Sequence, residues 1–407
     1  MRTNFSWKTV IGWLVLITLV ASTVGYLIGG SYPINRVTQG QSQISYSTLT
    51  STVTAIQVAT QTVTSPVTVY GTSYKTSLTI ENNSLSNLVV GKIQLPPYPM
   101  GIAADPITNK IFVVDWYQNT TLFVINGTAD SIIAKIPLNT TVYSDPIVNP
   151  ITGNVYVDNF VINGTTNRVS GKINSNITFS GVDESNNIVY GRLNVPTHVS
   201  NELYKINGSN NQIIDQQNYS AIFLGNMKVN PDTHMIYVPG CFYSTRCTSD
   251  AVIAINDTTL RIQQGIPVTN AILTLEIDRQ SNLVYATVLE NSLVVINGSD
   301  NQILRTIPIT PFTNEMFGLA VDNSANLILV SGSPACVGFS YCGLSTLYLL
   351  SGTNYGLITT FVNNQSFVEH TTLSFDPSIN ETFISFEYSG FVLALKIPNY
   401  QIAAAPP

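Results

Sequence analysis

Charge is scarce in this chain of 407 residues: Asp, Glu, Lys and Arg together make up 10% of it, against roughly 25% in an average soluble domain. The 17 Lys and Arg face 23 Asp and Glu for a net charge of −6, and they form no basic cluster. Binding to a nucleic-acid backbone, which needs phosphates neutralised by clustered cations, is thereby disfavoured. A surface with few ionisable groups also changes little as carboxylates protonate, which suits an acidic exterior. Histidine is rarer still, with only His198, His234 and His370. Three histidines so dispersed do not gather into one haem or metal centre, so no cofactor is expected. Neither a nucleophile-elbow pattern nor a Gly-rich phosphate loop occurs. Polarity comes instead from Asn, Thr, Ser and Gln.

What the chain does have is a period. An Asp or Asn, a small polar turn and an apolar run rich in β-branched and aromatic residues recur seven times, opening at Asp105, Asn149, Asp183, Asn230, Asp278, Asp322 and Asp376. The spacings are 44, 34, 47, 48, 44 and 54 residues, the span of a four-stranded propeller blade with loop variation. A second half, typified by LFVINGTADSIIAKIPL at 122–138, completes only six units. The seventh stops after 391–397, while an orphan strand, LSNLVVGKIQL at 85–95, stands before the first. A ring of blades must pair its ends or leave an open edge, so 85–95 is expected to be the outer strand of the last blade. The fold class is therefore all-β, a seven-bladed β-propeller over 81–400, with a short tail at 401–407. The opening Asp and Asn residues read as turn caps rather than as a carboxylate ring.

In NPITGNVYVDN, at 149–159, Tyr156, Val157 and Asn159 fall on three of the four letters of a known repeat, and Asp158 replaces its Thr. The chain resembles the YVTN-type β-propeller repeat proteins of archaeal and bacterial cell surfaces and secretions. Other copies drift to FVVD, YVPG and YATV. The resemblance covers 85–397 and implies a fold and an extracellular setting, not a chemistry.

Residues Val10 to Gly30 form an uncharged apolar run of 21, enough to cross a bilayer of ~30 Å as a helix. Arg2 and Lys8 precede it and only Arg36 follows closely, which places 1–9 in the cytoplasm and the propeller outside. Two readings stand for 10–30, a retained transmembrane anchor and a cleaved signal peptide. Residues 31–80 are a Ser/Thr-rich stalk, either O-glycosylated or a weakly β-structured spacer, with pairing to a neighbouring chain as a further alternative.

Four cysteines fall in two local pairs of equal spacing, Cys241 with Cys247 and Cys336 with Cys342. They predict two disulfides clamping equivalent loops, each stabilising by ~2–3 kcal/mol in the chain-entropy model. Disulfides agree with an oxidising exterior. Asn-x-Ser/Thr sequons occur at Asn82, Asn119, Asn126, Asn139, Asn163, Asn176, Asn207, Asn218, Asn256, Asn297, Asn364 and Asn380. Asn126, Asn163, Asn207, Asn256 and Asn297 share one turn of successive units, where Asn-Gly is favoured for its tolerance of positive φ. Turn chemistry alone leaves the following Ser or Thr unexplained, so several N-glycans are expected.

No catalytic residue is assigned. Glu369 with His370 is the best acid/base pair, and adjacent residues of an extended segment point apart. Phe242, Tyr243, Phe339 and Tyr341 in the cysteine loops, with Tyr98, Met100, Trp116, Tyr117, Phe317 and His370, are expected on one face, and rigid aromatics there would form a contact surface. Three function classes follow. The chain is a membrane-anchored surface glycoprotein binding envelope proteins or glycans, an extracellular lyase or hydrolase with its substrate in the central channel, or a structural envelope or filament subunit.

Overall fold

The computed structural model describes the backbone of 34–36, 45–47, 60–69 and 72–397, apart from 116–119, 143, 174–176, 194–199, 224, 243–250, 290, 310–312, 335–345, 363–370 and 388. Side chains are described from Ser84 onward, except at 200–201, 220–223, 242, 313–317 and 333–334. The expected membrane segment 10–30 lies outside these residues. Among the described residues no helix is long and apolar enough to cross a membrane. The chain divides into two units, 1–81 and 82–407. In the first, Thr60–Val69 pairs antiparallel with the following strand from Thr60↔Glu81 to Val69↔Thr72, so Thr alternating with Val and Ile does form ladder structure within the stalk.

The second unit is a seven-bladed β-propeller. Blade 1 is Pro99–Asp105, Lys110–Asp115, Thr121–Asn126 and Ser131–Pro137, paired in that order from the axis outward. Blades 2 to 6 repeat the plan, and blade 7 has Thr371–Asp376, Glu381–Phe386 and Phe391–Leu395 of its own. Its outer strand is Val89–Gln94, antiparallel to the third strand with Val392 opposite Ile93. The orphan segment thus closes the ring as expected, with Leu85–Asn87 a single 3-10 turn ahead of the strand.

Each blade is apolar on both faces because it is sandwiched between two others, and the buried side chains accordingly form seven clusters, one per interface. Phe112, Leu122, Val155 and Ile162 join blades 1 and 2; Ile93, Ile111, Phe123 and Phe383 join blades 7 and 1. The closing segment serves two of them, since Leu85 and Leu88 enter the cluster between blades 6 and 7 while Ile93 and Leu95 enter the next.

One face of the ring carries the turns between first and second strands and between third and fourth, and it is built alike in every unit. Each opening Asp or Asn accepts a backbone N–H two or three residues on: Ile107 to Asp105 at 3.0 Å, Ile151 to Asn149 at 3.1 Å, Ser185 to Asp183 at 2.9 Å, and likewise at Asn230, Asp278, Asp322 and Asp376. All seven are buried, and their side chains are turn caps. The turn then passes through a left-handed residue: Asn109, Gly153, Asn187, His234, Asn282, Asn326 or Asn380. In six blades the carbonyl of that residue accepts the N–H of the Gly or Asp in the other turn, as from Gly127 to Asn109 at 2.7 Å and Gly208 to Asn187 at 2.9 Å.

This geometry corrects two expectations about the Asn-Gly turns. Their positive φ falls on a later residue, Asp130, Asn167, Asn211, Leu260, Asn301 or Tyr355, and not on Asn or Gly. Gly is needed for close approach: a Cβ on Gly208 would lie 2.1 Å from Asn187 Oδ1, and one on Gly298 2.3 Å from Asn282 Oδ1. In blades 3, 5 and 6 the following hydroxyl also has a structural partner. Asn187 Nδ2 donates to Ser209 at 2.8 Å, Asn282 Nδ2 to Ser299 at 3.1 Å, and Asn326 Nδ2 to Thr353 at 2.7 Å. In blade 6 the sequon is gone, with Ser351 in place of Asn, yet Thr353 remains. Blades are tied together here too, by Asn149 Nδ2 to Asn187 Oδ1 at 2.8 Å and Asn230 Nδ2 to Asn282 Oδ1 at 2.9 Å. The repeat tyrosine does similar work, since Tyr237 of blade 4 donates to Asn301 of blade 5 at 3.0 Å.

Gly208→Ala is therefore expected to cost ~1–3 kcal/mol by overpacking. Gly171→Ala, on an outer strand where an added Cβ meets nothing within 4 Å, is expected to cost nothing measurable. Urea unfolding of the two variants checks the contrast, and equal stabilities would refute the close-approach account.

Candidate functional site

Inner strands of all seven blades line a central channel of about 810 Å³, within the range of small-molecule sites. Its walls differ around the ring. Blades 6, 7 and 1 contribute small or hydroxyl side chains such as Gly318, Ala320, Thr372, Ser374 and Ala103. The charges lie on blades 2 to 5, as Asp145, Glu184, Arg192, Lys228, Glu276 and Arg279.

These charges sit at successive depths. Lys228 and Glu276 each stand two residues before their turn cap, Asn230 and Asp278, in neighbouring blades, so they meet at one level, Nζ to Oε2 at 2.6 Å. Arg279 follows the cap of blade 5 by one residue, lies at the turn face, and contacts Asp232 through two bonds of 3.0 and 3.1 Å and Glu184 through Nη1. Towards the loop face, Asn226 of blade 4 donates its Nδ2 to Asp145 Oδ2 of blade 2 at 2.7 Å, reaching past blade 3. Gly181 of blade 3 packs against Met227, the next residue, from which a Cβ would lie 3.1 Å.

Burial pushes the Asp145 carboxyl above its ordinary value, and the nearby Lys228 and the Asn226 bond oppose the shift without cancelling it. Arg192 is lowered by burial while Asp158 of blade 2 partly restores it. Asp158 itself accepts from Thr178 Oγ1 at 2.9 Å and is raised by burial.

Near the loop face the inner strands leave the regular ladder. The register shifts between Pro99 and Gly101, Phe179 and Gly181, Ile272 and Thr274, and Met316 and Gly318. Such bulges re-aim side chains and recur beside functional sites. In blade 4 the interruption is larger. The outer strand of blade 3, Ile213–Phe223, runs on to pair its last residues with Gly240–Phe242, and the inner ladder resumes only at Lys228. Ser180 spans the gap, its Oγ donating to Gly225 O at 3.1 Å and its carbonyl accepting from Met227 N at 2.8 Å.

Of the residues expected on the contact face, two have described side chains: Met100, which is buried and lines the channel, and Tyr98. Tyr98 stands at the entry to blade 1 with φ 74°, a sparsely populated conformation for a bulky residue, and its N–H donates to Glu387 O of blade 7 at 2.6 Å. Trp116, Tyr117, Tyr243, Phe339, Tyr341 and His370 lie outside the described residues, as do the side chains of Phe242 and Phe317. Cys241 is buried at the end of the second strand of blade 4 and is disulfide-bonded. Its partner and the other cysteines, among Cys247, Cys336 and Cys342, lie outside the described residues, as do Asn119, Asn176, Asn364 and the side chain of Asn82. The described sequon residues of the shared turn use Oδ1 to cap it, as Asn126 does for Thr128 at 3.0 Å and Asn163 for Thr166 at 2.8 Å. Asn139 is exposed, Asn218 lies on the outer strand of blade 3 and Asn380 in the first turn of blade 7. His234 holds a left-handed turn position beside Asp257, 3.2 Å away. No three His, Cys, Asp or Glu converge as metal ligands among the described residues.

The channel charges escaped the sequence reading. Asp145, Lys228 and Glu276 sit in unremarkable strings, and only the register relative to the turn caps aligns Lys228 with Glu276. No protein-family model matches the chain, and no curated protein matches it.

Proposed function

We propose that this chain is a membrane-anchored extracellular glycoprotein whose propeller is a binding module, with the loop face as its contact surface. The observation that carries this reading is the asymmetry between the two faces of the ring. The turn face uses the same bonds in unit after unit, so its residues are accounted for by the fold. The loop face departs from the repeat, with inner-strand bulges, an interrupted strand, a disulfide at Cys241 and a strained Tyr98. Local strain persists where the surroundings over-determine it, and it concentrates at binding sites. The apolar segment 10–30, the sequons and the resemblance to YVTN-type surface propellers support an outer-face location, with residues 31–80 as the spacer.

Brief protease treatment of intact cells tests the topology. Release of a fragment beginning within 31–80 and containing the propeller is the expected result. Protection of the propeller until the cells are lysed would overturn the extracellular reading.

A further inference from the structure

We propose that the channel binds an organic amine, its primary ammonium group hydrogen-bonded to Asp145 near the loop face. The argument begins from which charges are already matched. Lys228 is in contact with Glu276, Arg279 with Asp232 and Glu184, and Arg192 is held in the field of Asp158. Asp145 remains, with Oδ2 taken by a neutral amide and Oδ1 without a partner among the described residues. Asp145 is half-buried in the channel wall, and a carboxylate partly withdrawn from water without a contacting cation is costly.

Gly101 of blade 1 packs closely on one side of Asp145, since a Cβ there would lie 2.7 Å from Oδ1 and 2.9 Å from Asp145 Cα, and the channel lies on the other side. Pro146 disfavours the helical region for Asp145 and so narrows its conformations. An ammonium ion supplies both the missing charge and the missing donor; a charge-assisted bond of this kind is about twice as strong as a neutral one. An anion would meet the same carboxylate unfavourably. Beside the charged wall the channel is apolar, through Met100, Met227, Leu273 and Leu275, which suits an alkyl body behind the amine.

Thermal-shift titration of the purified full-length protein with n-butylamine and 1,4-diaminobutane, against 1-butanol and butyrate, tests the proposal. Both amines are expected to raise the melting temperature saturably at pH 7, and the alcohol and the carboxylate are not. Asp145→Asn keeps a side-chain bond to Asn226 and removes the charge from the channel wall. It is expected to weaken amine binding about 10–100-fold while raising the melting temperature of the ligand-free protein. A purely structural carboxylate would do the reverse on stability. No saturable shift with either amine, equal shifts in wild type and Asp145→Asn, or a less stable Asp145→Asn protein would each overturn the proposal. None of these outcomes bears on the capture of a partner by the loop face.

Discussion

A chain that begins at residue 96 does not fold into a cooperative propeller. Removing 85–95 strips the last blade of its outer strand and takes Leu85, Leu88, Ile93 and Leu95, all at most 5% exposed, from two adjacent cores. At roughly 1.5–3 kcal/mol for each buried aliphatic side chain, the loss is comparable to the whole stability of an ordinary domain. Backbone ties go with it, among them Leu95 N to Gly390 O at 2.8 Å and Lys396 N to Leu88 O at 2.9 Å. Because Ile93 and Leu95 sit in the core between blades 7 and 1, the damage reaches blade 1 as well as blade 7. The milder Ile93→Ala is expected to cost ~2–5 kcal/mol and to leave a single transition. Circular dichroism melting of the truncated chain checks the first result. A sharp transition within a few degrees of wild type would show that closure is dispensable.

Acidification from pH 7 to about 4 is expected to stabilise the propeller, where acid commonly weakens proteins through their paired carboxylates. Burial raises Asp115, Asp130, Asp145, Asp158 and Glu381 above their ordinary values of 3.8 and 4.5. A carboxyl raised in the folded state binds its proton more tightly there than in the unfolded chain. Its contribution is therefore most favourable below 3.8 or 4.5 and is lost progressively as pH climbs through the raised folded value. Asp232 is the opposing case, lowered by its bonds to Arg279, but it is exposed and its contribution is screened. A rise on the order of 5 °C in melting temperature is expected for a domain of this size. Scanning calorimetry across that interval decides the matter, and a steady fall would mean that paired carboxylates dominate. The low charge density points to a weak dependence on acid, and the raised carboxyls give that expectation a sign.

The fold was legible because its determinants are local and repeated. Asp105 and its six counterparts announce the first turn, the apolar runs announce the second strand, and the missing outer strand of the seventh unit points to 85–95. The contacts between the turns of a blade were less legible. That Ser209, Ser299 and Thr353 serve a neighbouring turn is invisible in the string Asn-Gly-Ser or Ser-Gly-Thr, because the donor Asn lies 17 to 27 residues earlier. The channel was hidden for a different reason. Asp145 meets Asn226 across 81 residues of sequence and past an intervening blade, a convergence fixed by ring closure and not by any motif.

Cross-linking mass spectrometry on intact cells, with the propeller as bait and glycopeptides read in the same run, tests the central reading most directly. The expected result is a set of cross-links to other envelope components from residues of the loop face, around Tyr98 and the 241–247 and 336–342 loops, with glycans elsewhere. Cross-links confined to the turn face, or glycans covering the loop face, would contradict it.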